Sequence, residues 1–287
     1  MSFRSGALRS PLASTLALTA VVLTLAACDR RQREEPTAPE APAEQPAVTP
    51  ADGAAPMTYE SENRFAQVNL ALPDAIRAQP DLHARLYAEA VRELRTFSEG
   101  AQADRTEYEG DMDLPPYSKH IDYVAAGETG KLISLQRNSS EYTGGAHPNP
   151  AYGAVIWDKA LKQFVQPAQL FRRGADLSAL DQALCDAINT ARRGRNPQAE
   201  PIGLNPTRGG WSCPRAGTTP FVLAPSTTPG KAGGLVFLIG PYQVGPYAEG
   251  GYEIAVPQSV FRALLAPAYA DEFAGQPPRT GDVTDPG

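Results

Sequence analysis

Cysteine, histidine and tryptophan are scarce in this chain, at three, three and two among 287 residues. His83, His120 and His147 lie far apart, and no pair has the spacing of metal ligands. No Cys-x-x-Cys pair exists, so neither thiol redox chemistry nor a zinc ribbon is indicated. No glycine loop of the phosphate-cradling type is present, and no serine sits in a nucleophile elbow. Asp111 and Asp113 form a short acidic loop, the one candidate for calcium. No cofactor or metal is expected. Positive charge is also in deficit, with 26 basic against 32 acidic residues. A mildly acidic chain is a poor partner for nucleic acid, and none is expected.

Long apolar runs are missing except one. Arg4 and Arg9 precede an apolar stretch from Leu12 to Ala27, too short and too small in side chain for a spanning helix. It ends Leu25-Ala26-Ala27-Cys28. A basic start, an apolar centre and small residues before a cysteine resemble the bacterial lipoprotein signal, cut before Cys28 and lipidated on its thiol. The alternative is an ordinary signal peptide with a coincidental cysteine. Lipidation implies the periplasmic face of a membrane, with the bilayer as partner; each buried CH₂ contributes about 0.8 kcal/mol. Asp29 resembles an inner-membrane retention signal, which leaves the choice of membrane open. Cleavage removes Arg4 and Arg9, leaving 24 basic against 32 acidic residues, a net charge of −8. That leaves Cys185 and Cys213, an even count in an oxidising compartment. A bridge between them closes about 28 residues and contributes about 3 kcal/mol in the chain-entropy picture. The alternative is two free thiols.

From Asp29 to about Met57 the chain is rich in proline, alanine and glutamate, without apolar periodicity, and cannot bury a core. It reads as a tether that holds the folded part off the bilayer. The folded part is expected over 58–274, as an N-terminal unit, 58–145, and a C-terminal unit, 146–274. The end, 275–287, reads as a loose tail.

Alternation over Arg64–Leu72 predicts a strand. Leu82, Leu86, Ala90, Val91, Leu94 and Phe97 predict a helix over Asp81–Glu99, with Gly100 as its stop. Ser118–Ala125 and Lys131–Tyr142 read as paired strands around a turn at 127–130, and Tyr152–Asp158 as another. Asp176 caps a second predicted helix with the stripe Leu177, Leu180, Leu184 and Ile188. Pro220–Ala224, Gly233–Gly240 and Gly251–Val256 read as strands. Leu235–Ile239 is apolar on both faces, as a central strand requires. A short helix after Pro257 closes the series. The fold class is α+β: two small units, each an antiparallel sheet with one or two packed helices.

Two segments stand out. Tyr142-Thr143-Gly144-Gly145-Ala146-His147-Pro148-Asn149 and Tyr242-Gln243-Val244-Gly245-Pro246-Tyr247-Ala248-Glu249-Gly250 combine glycine, proline, aromatic rings and one ionisable group. Such loops hold one shape and present an aromatic face with a polar tip. The alternative is two tight turns that close hairpins. The expected ligand contacts are Tyr142, Gly144, Gly145, His147, Asn149, Tyr242, Tyr247 and Glu249.

Tyr-x-Gly-Gly-Ala-His at 142–147, an aromatic strand, Leu170-Phe171, a helix, an apolar strand and Tyr-x-x-Gly-Pro-Tyr-Ala-x-Gly at 242–250 together resemble a known family. It is the bacterial extracytoplasmic domain pair, largely of unknown function, in the outer part of a lysozyme-sensing anti-sigma factor. Similar domains precede the catalytic domain of a peptidoglycan deacetylase. The resemblance covers most of 60–266. It implies two α+β units and recognition in the cell envelope, of a peptidoglycan fragment or of a cationic protein such as lysozyme. Only about eleven residues precede the apolar run, so no sigma-factor partner is expected. No metal-binding deacetylase domain follows residue 274, so no deacetylation is expected.

Three functions follow as alternatives. The first is a lipid-anchored binding module. The second is a hydrolase in which Glu249 or Glu253 orients His147 as a general base. The third is a structural part of an envelope complex, which a wide exposed apolar patch would favour.

Overall fold

A computed structural model describes residues 56–107, 115–206 and 210–285. The leader, Cys28, nearly all of the proline-rich tether, Asp111 and Asp113 lie outside the described residues. Among the described residues no helix is long and apolar enough to cross a membrane.

The chain is α+β. A hairpin of β1 (Thr58–Glu62) and β2 (Ala66–Ala71) leads into α1 (Pro80–Glu107). Next come β3 (Tyr117–Glu128), β4 (Leu132–Tyr142), β5 (Asn149–Asp158) and β6 (Gln163–Phe164). These six strands make one sheet in the order β1-β2-β3-β4-β5-β6. A short α2 (Pro167–Leu170) and the longer α3 (Ser178–Arg195) follow. The second sheet runs β10-β9-β8-β7, with β7 at Phe221–Ala224, β8 at Gly234–Ile239, β9 at Tyr252–Pro257 and β10 at Gly281–Asp282. A last one-turn helix, α4 (Pro267–Ala270), lies between β9 and β10.

Several expectations need correction. The first sheet is mixed, because β2 and β3 pair in parallel. A parallel pair needs a crossover, and α1 supplies it. Its 28 residues rise about 42 Å. β3, at twelve residues, extends about 40 Å. α1 also runs through Gly100 to Glu107. A glycine inside a helix costs about 1 kcal/mol, but Ala101 beyond it packs with Phe65 and Ala66, which offsets that cost. The hairpin strand β1 had no clear signal, being an edge strand whose side chains are at most half buried. The segment after Pro257 forms two 3₁₀ turns, Gln258–Val260 and Arg262–Leu264, in place of one helix.

The boundary at 145/146 falls inside the β4–β5 turn, and the first sheet continues to Phe164. The described residues belong to one compact unit. The tail beyond Gly275 is tied down: Gly281 and Asp282 pair with Ala255 and Ile254.

Three layers of contact explain why the two sheets stay together. On one side, the α1 stripe Leu82, Leu86, Ala90 and Leu94 packs on Leu70, Ile121, Leu135 and Trp157. On the other, α3 presents Leu180, Leu184 and Ile188 to Phe221, Leu235, Phe237 and Ile254. Between the sheets, Val222, Ala224, Val236 and Leu238 meet Ala126, Tyr152 and Ala154. β8 is therefore covered on both faces, as its unbroken apolar sequence requires.

Polar bonds fix the register of this joint. Ser134 Oγ accepts the Leu223 N–H at 3.0 Å, and Gln136 donates to Glu253 at 2.9 Å. Glu272, only 4% exposed, accepts from the Thr129 hydroxyl at 2.5 Å and the Lys131 N–H at 2.8 Å. Gly127 is required here, since a Cβ on it would sit 2.5 Å from the Leu223 carbonyl oxygen. We expect Gly127→Ala to push β3 off β7 and to destabilise the protein by about 1–3 kcal/mol. Urea unfolding checks this, and a change below about 0.5 kcal/mol would mean that the joint yields.

Candidate functional site

The first glycine-rich segment is the β4–β5 turn. Gly144 and Gly145 adopt φ of 96° and 104°, the region that favours glycine. The Tyr142 hydroxyl donates to the Gly145 carbonyl at 3.3 Å and closes the turn. Asn149 opens β5 opposite Glu141 and is exposed.

The second segment leaves β8 at Gly240. The Gln243 side chain accepts the Gly240 N–H at 2.9 Å, and Val244 inserts into the core at 1% exposure. Tyr242, between them, is held at φ 66° with 52% of its surface exposed. A bulky residue in that region is strained by roughly 1–3 kcal/mol. Tyr247–Glu249 make a 3₁₀ turn, and Gly250 at φ 72° redirects the chain into β9.

The two segments meet. The rings of His147 and Tyr247 stack at 3.9 Å with an interplanar angle of 16°. The Tyr247 hydroxyl donates to the Pro148 carbonyl, 99 positions away in sequence, at 3.5 Å. Tyr242 leans against Tyr247 at 5.3 Å between centroids. The result is a row of three rings across the joint between the sheets, with Tyr242 outermost in exposure.

The pairing of His147 with a carboxylate does not form. His147 Nδ1 donates to the Pro148 carbonyl at 2.9 Å, so a backbone oxygen fixes the ring. Glu249 faces inward instead. Its carboxylate accepts from Arg192 Nε at 3.0 Å, Arg192 Nη2 at 3.1 Å and the Tyr252 hydroxyl at 3.0 Å. Glu253 accepts from Gln136. Both candidate orienting groups are thus engaged elsewhere. Burial pushes the Glu249 carboxyl up, but the bonds from Arg192 and Tyr252 outweigh it and hold the group below its ordinary 4.5. Burial and the same carboxylate push the Tyr252 phenol up to about 12. These are the marks of a structural ion pair.

Two arginines in the last turn of α3 prove central. Arg192 takes Glu249. Arg195 lies over the Tyr252 ring at 3.8 Å and donates to the carbonyls of Glu249 and Gly251 at 2.9 and 2.7 Å. It also pairs with Asp282 at 2.9 Å, which carries the tail to the same place. Cys185 and Cys213, both buried, form a disulfide with 5.3 Å between their Cα atoms. It fastens the loop after α3 to the helix that supplies both arginines. Among the described residues no cluster of three His, Cys, Asp or Glu stands ready for a metal ion.

Residues 59–150 match the family model described as Deacetylase PdaC. The match takes in α1, the strands from β1 to β4, and the β4–β5 turn, but not the 242–250 segment. No curated protein matches the chain. Among solved structures, a DUF3298 family protein from Pseudomonas aeruginosa PAO1 is similar at 15% identity and a TM-score of 0.43, over 78% of this chain and 99% of that one. A DUF3298 family member from Bacteroides fragilis NCTC 9343 is similar at 16% identity and a TM-score of 0.46, over 75% of this chain and 94% of that one.

Proposed function

We propose that this protein is a lipid-anchored envelope binding module that holds peptidoglycan on the ring row of His147, Tyr247 and Tyr242. One observation carries the reading. Two glycine-rich segments far apart in sequence are folded together so that their rings stack, and the most exposed of them, Tyr242, is kept in a strained backbone conformation. Strain retained at an exposed aromatic is a reason to look for a ligand there. Tyrosine offers a flat apolar face with a polar end, which suits the faces of sugar rings. Lipidation of Cys28, and the tether after it, would hold this surface in the periplasm near the wall.

A hydrolase is disfavoured because Glu249 serves Arg192 and Tyr252. A purely structural role would be favoured by a wide exposed apolar patch. The large exposed hydrophobics among the described residues, Val124, Leu161 and Tyr242, come from three different elements.

Sedimentation of the full chain with purified sacculi tests the proposal. We expect Tyr242→Ala to weaken binding at least tenfold, the loss of about 1.4 kcal/mol or more that marks a hot spot. The variant should remain folded, and the glycine counterpart, Tyr242→Gly, should be as stable as the parent or more so, because the strain is removed. Binding to sacculi that ignores Tyr242 removes the proposed surface. Capture of lysozyme in place of sacculi would make the ligand a cationic protein.

A further inference from the structure

The first sheet has two outer edges, and they are built differently. β1 carries Glu60 and Glu62, charges of the kind that keep an edge strand from pairing with another chain. At the opposite side, β6 covers only the end of β5. Its ladder partners are Trp157 and Asp158, and the Val165 N–H then donates to the Ile156 carbonyl at 2.8 Å before the chain turns into α2. Along Asn149–Val155 no strand among the described residues lies beside that edge of β5. The stretch Asn149-Pro150-Ala151-Tyr152-Gly153-Ala154-Val155 holds no charged residue.

Register decides which groups face outward. The N–H and C=O of one residue point to the same side of a strand, and the side alternates along it. Ile156 bonds outward to Val165, while the Lys159 N–H bonds inward to the Lys131 carbonyl at 2.8 Å. Tyr152 and Ala154 therefore point outward with Ile156, and Pro150 has no N–H to offer. No hydrogen bond among the described residues takes the backbone of Tyr152 or Ala154 at this edge.

A cavity of about 300 Å³ runs along the same edge, on the face that carries α1. Leu86, Val155 and Phe164 give it an apolar wall, and Glu89, Glu93 and Arg137 line its polar part. Glu93 answers Arg137 at 2.9 Å and Lys119 at 3.0 Å, while Glu89 has no ion pair among the described residues. Adding Lys119 and its other partner Glu141 leaves the same excess of one carboxylate. Gly153 sits on this face, opposite Arg137. A Cβ there would lie 3.6 and 3.7 Å from Arg137 Cβ and Cδ, ordinary contact, and the ladder has no bulge at this point. Packing within the chain does not call for a glycine. A glycine inside a strand also marks the close approach of another backbone.

We infer that the free edge of β5 takes up an extended peptide segment of a partner protein as an added strand, with a lysine or arginine side chain entering the cavity beside Gly153. Pairing with the backbone of Tyr152 and Ala154 is what makes the ligand a peptide. The added residues opposite Gly153 and Val155 point to the α1 face. There the apolar wall takes the methylene stem of a long basic side chain, and its charged end meets the unpaired Glu89. An acidic side chain would add a third carboxylate to the lining. A second copy of this chain fits less well: its own β5 edge brings no cation to either cavity, and each copy carries a net charge of −6. Neither the ring row nor the lipid anchor enters this inference.

Isothermal titration and amide hydrogen exchange of the full chain test it. The probes are blocked peptides as long as Asn149–Val155, alternating threonine and valine, with lysine or glutamate at the centre. The lysine peptide should bind saturably and at least tenfold tighter than the glutamate peptide. It should slow exchange of the Tyr152 and Ala154 amides at least tenfold. Glu89→Lys, on an exposed helix surface, should reverse the preference between the two peptides. Ala154→Pro removes an outward N–H and should abolish binding of both. Tyr242→Ala should bind the lysine peptide as the parent does. No saturable binding, no preference for lysine, or binding that leaves exchange at Tyr152 and Ala154 unchanged overturns the inference, whether or not Ala154→Pro folds. A free chain that sediments as a dimer with those two amides already protected also overturns it, and makes the edge a contact between copies. Peptide binding without sacculus binding supports the edge and removes only the ring-row proposal.

Discussion

Glu249→Ala lowers the stability of this protein by about 3–5 kcal/mol, the range for removing one partner of a buried ion pair. The side chains of Arg192 and Glu249 are only 6% and 9% exposed. Truncation leaves the guanidinium buried without its counter-charge and leaves the Tyr252 hydroxyl without its acceptor. Thermal and urea unfolding read the loss. Glu249→Gln keeps the shape and one acceptor oxygen, so it should cost less. The pH profile separates a structural carboxylate from an incidental one. A carboxylate whose folded pKa is depressed contributes stability above its unfolded value, here near 4.5, and that stability disappears as pH falls through the folded value. The parent should therefore lose stability below about pH 4.5, and Glu249→Gln should lose part of that dependence. Some acid sensitivity remains in the variant. Glu93 and Glu272 are also held low: burial raises each, and their hydrogen bonds from Lys119 and from Thr129 and Lys131 more than compensate. A Glu249→Ala protein as stable as the parent would mean that the Arg192 pair holds nothing together.

Opening the Cys185–Cys213 bridge is the second large effect. It closes 28 residues of sequence separation, and a loop of that length is worth about 3–4 kcal/mol in the chain-entropy picture. The double variant Cys185→Ala/Cys213→Ala should be less stable by that amount in urea unfolding and should melt at a lower temperature. Reductant should bring the parent to the same point and leave the variant unchanged. The loop does not hang on the bridge alone. Asn189 grips the backbone of Ile202 in both directions, at 2.8 and 2.9 Å. The bridgeless protein should for that reason still fold and still display the Tyr242 surface at low temperature. Loss of sacculus binding at a temperature where it remains folded would show that the disulfide positions α3 and its two arginines.

Much of the fold was legible because its signals are local. Alternation along β2 and β5, the helical stripes of α1 and α3, and the doubly apolar β8 each report how many faces an element buries. The errors have equally local causes. Gly100 reads as a stop only until Ala101 is seen against Phe65 and Ala66. β1 and β10 are short edge strands with polar sequences, and only their partners make them strands. The parallel β2–β3 pair is invisible because alternation is the same for either strand direction.

At the site, the residue types were legible and the pairings were not. Glycine, proline and aromatic rings marked both turns, since backbone at φ near 100° and a displayed ring call for those residues. Glu249 sits beside His147 on a list of ionisable groups, yet it turns inward to an arginine 57 positions earlier. Arg195 carried no signal of its own in the sequence, yet it joins the 249–251 backbone, the Tyr252 ring and the tail.

The sequence alone determined the two long helices and the inner strands, which of their faces are apolar, and that two cysteines remain to pair once Cys28 is set aside. Only the tertiary structure decided that the tail belongs to a sheet, that the two turns share one surface, and that Glu249 is structural. Periodicity and turn chemistry act over a few residues and are written in order along the chain. Contacts between distant segments depend on how layers stack, and many stackings satisfy the same local pattern until packing and buried charge select one.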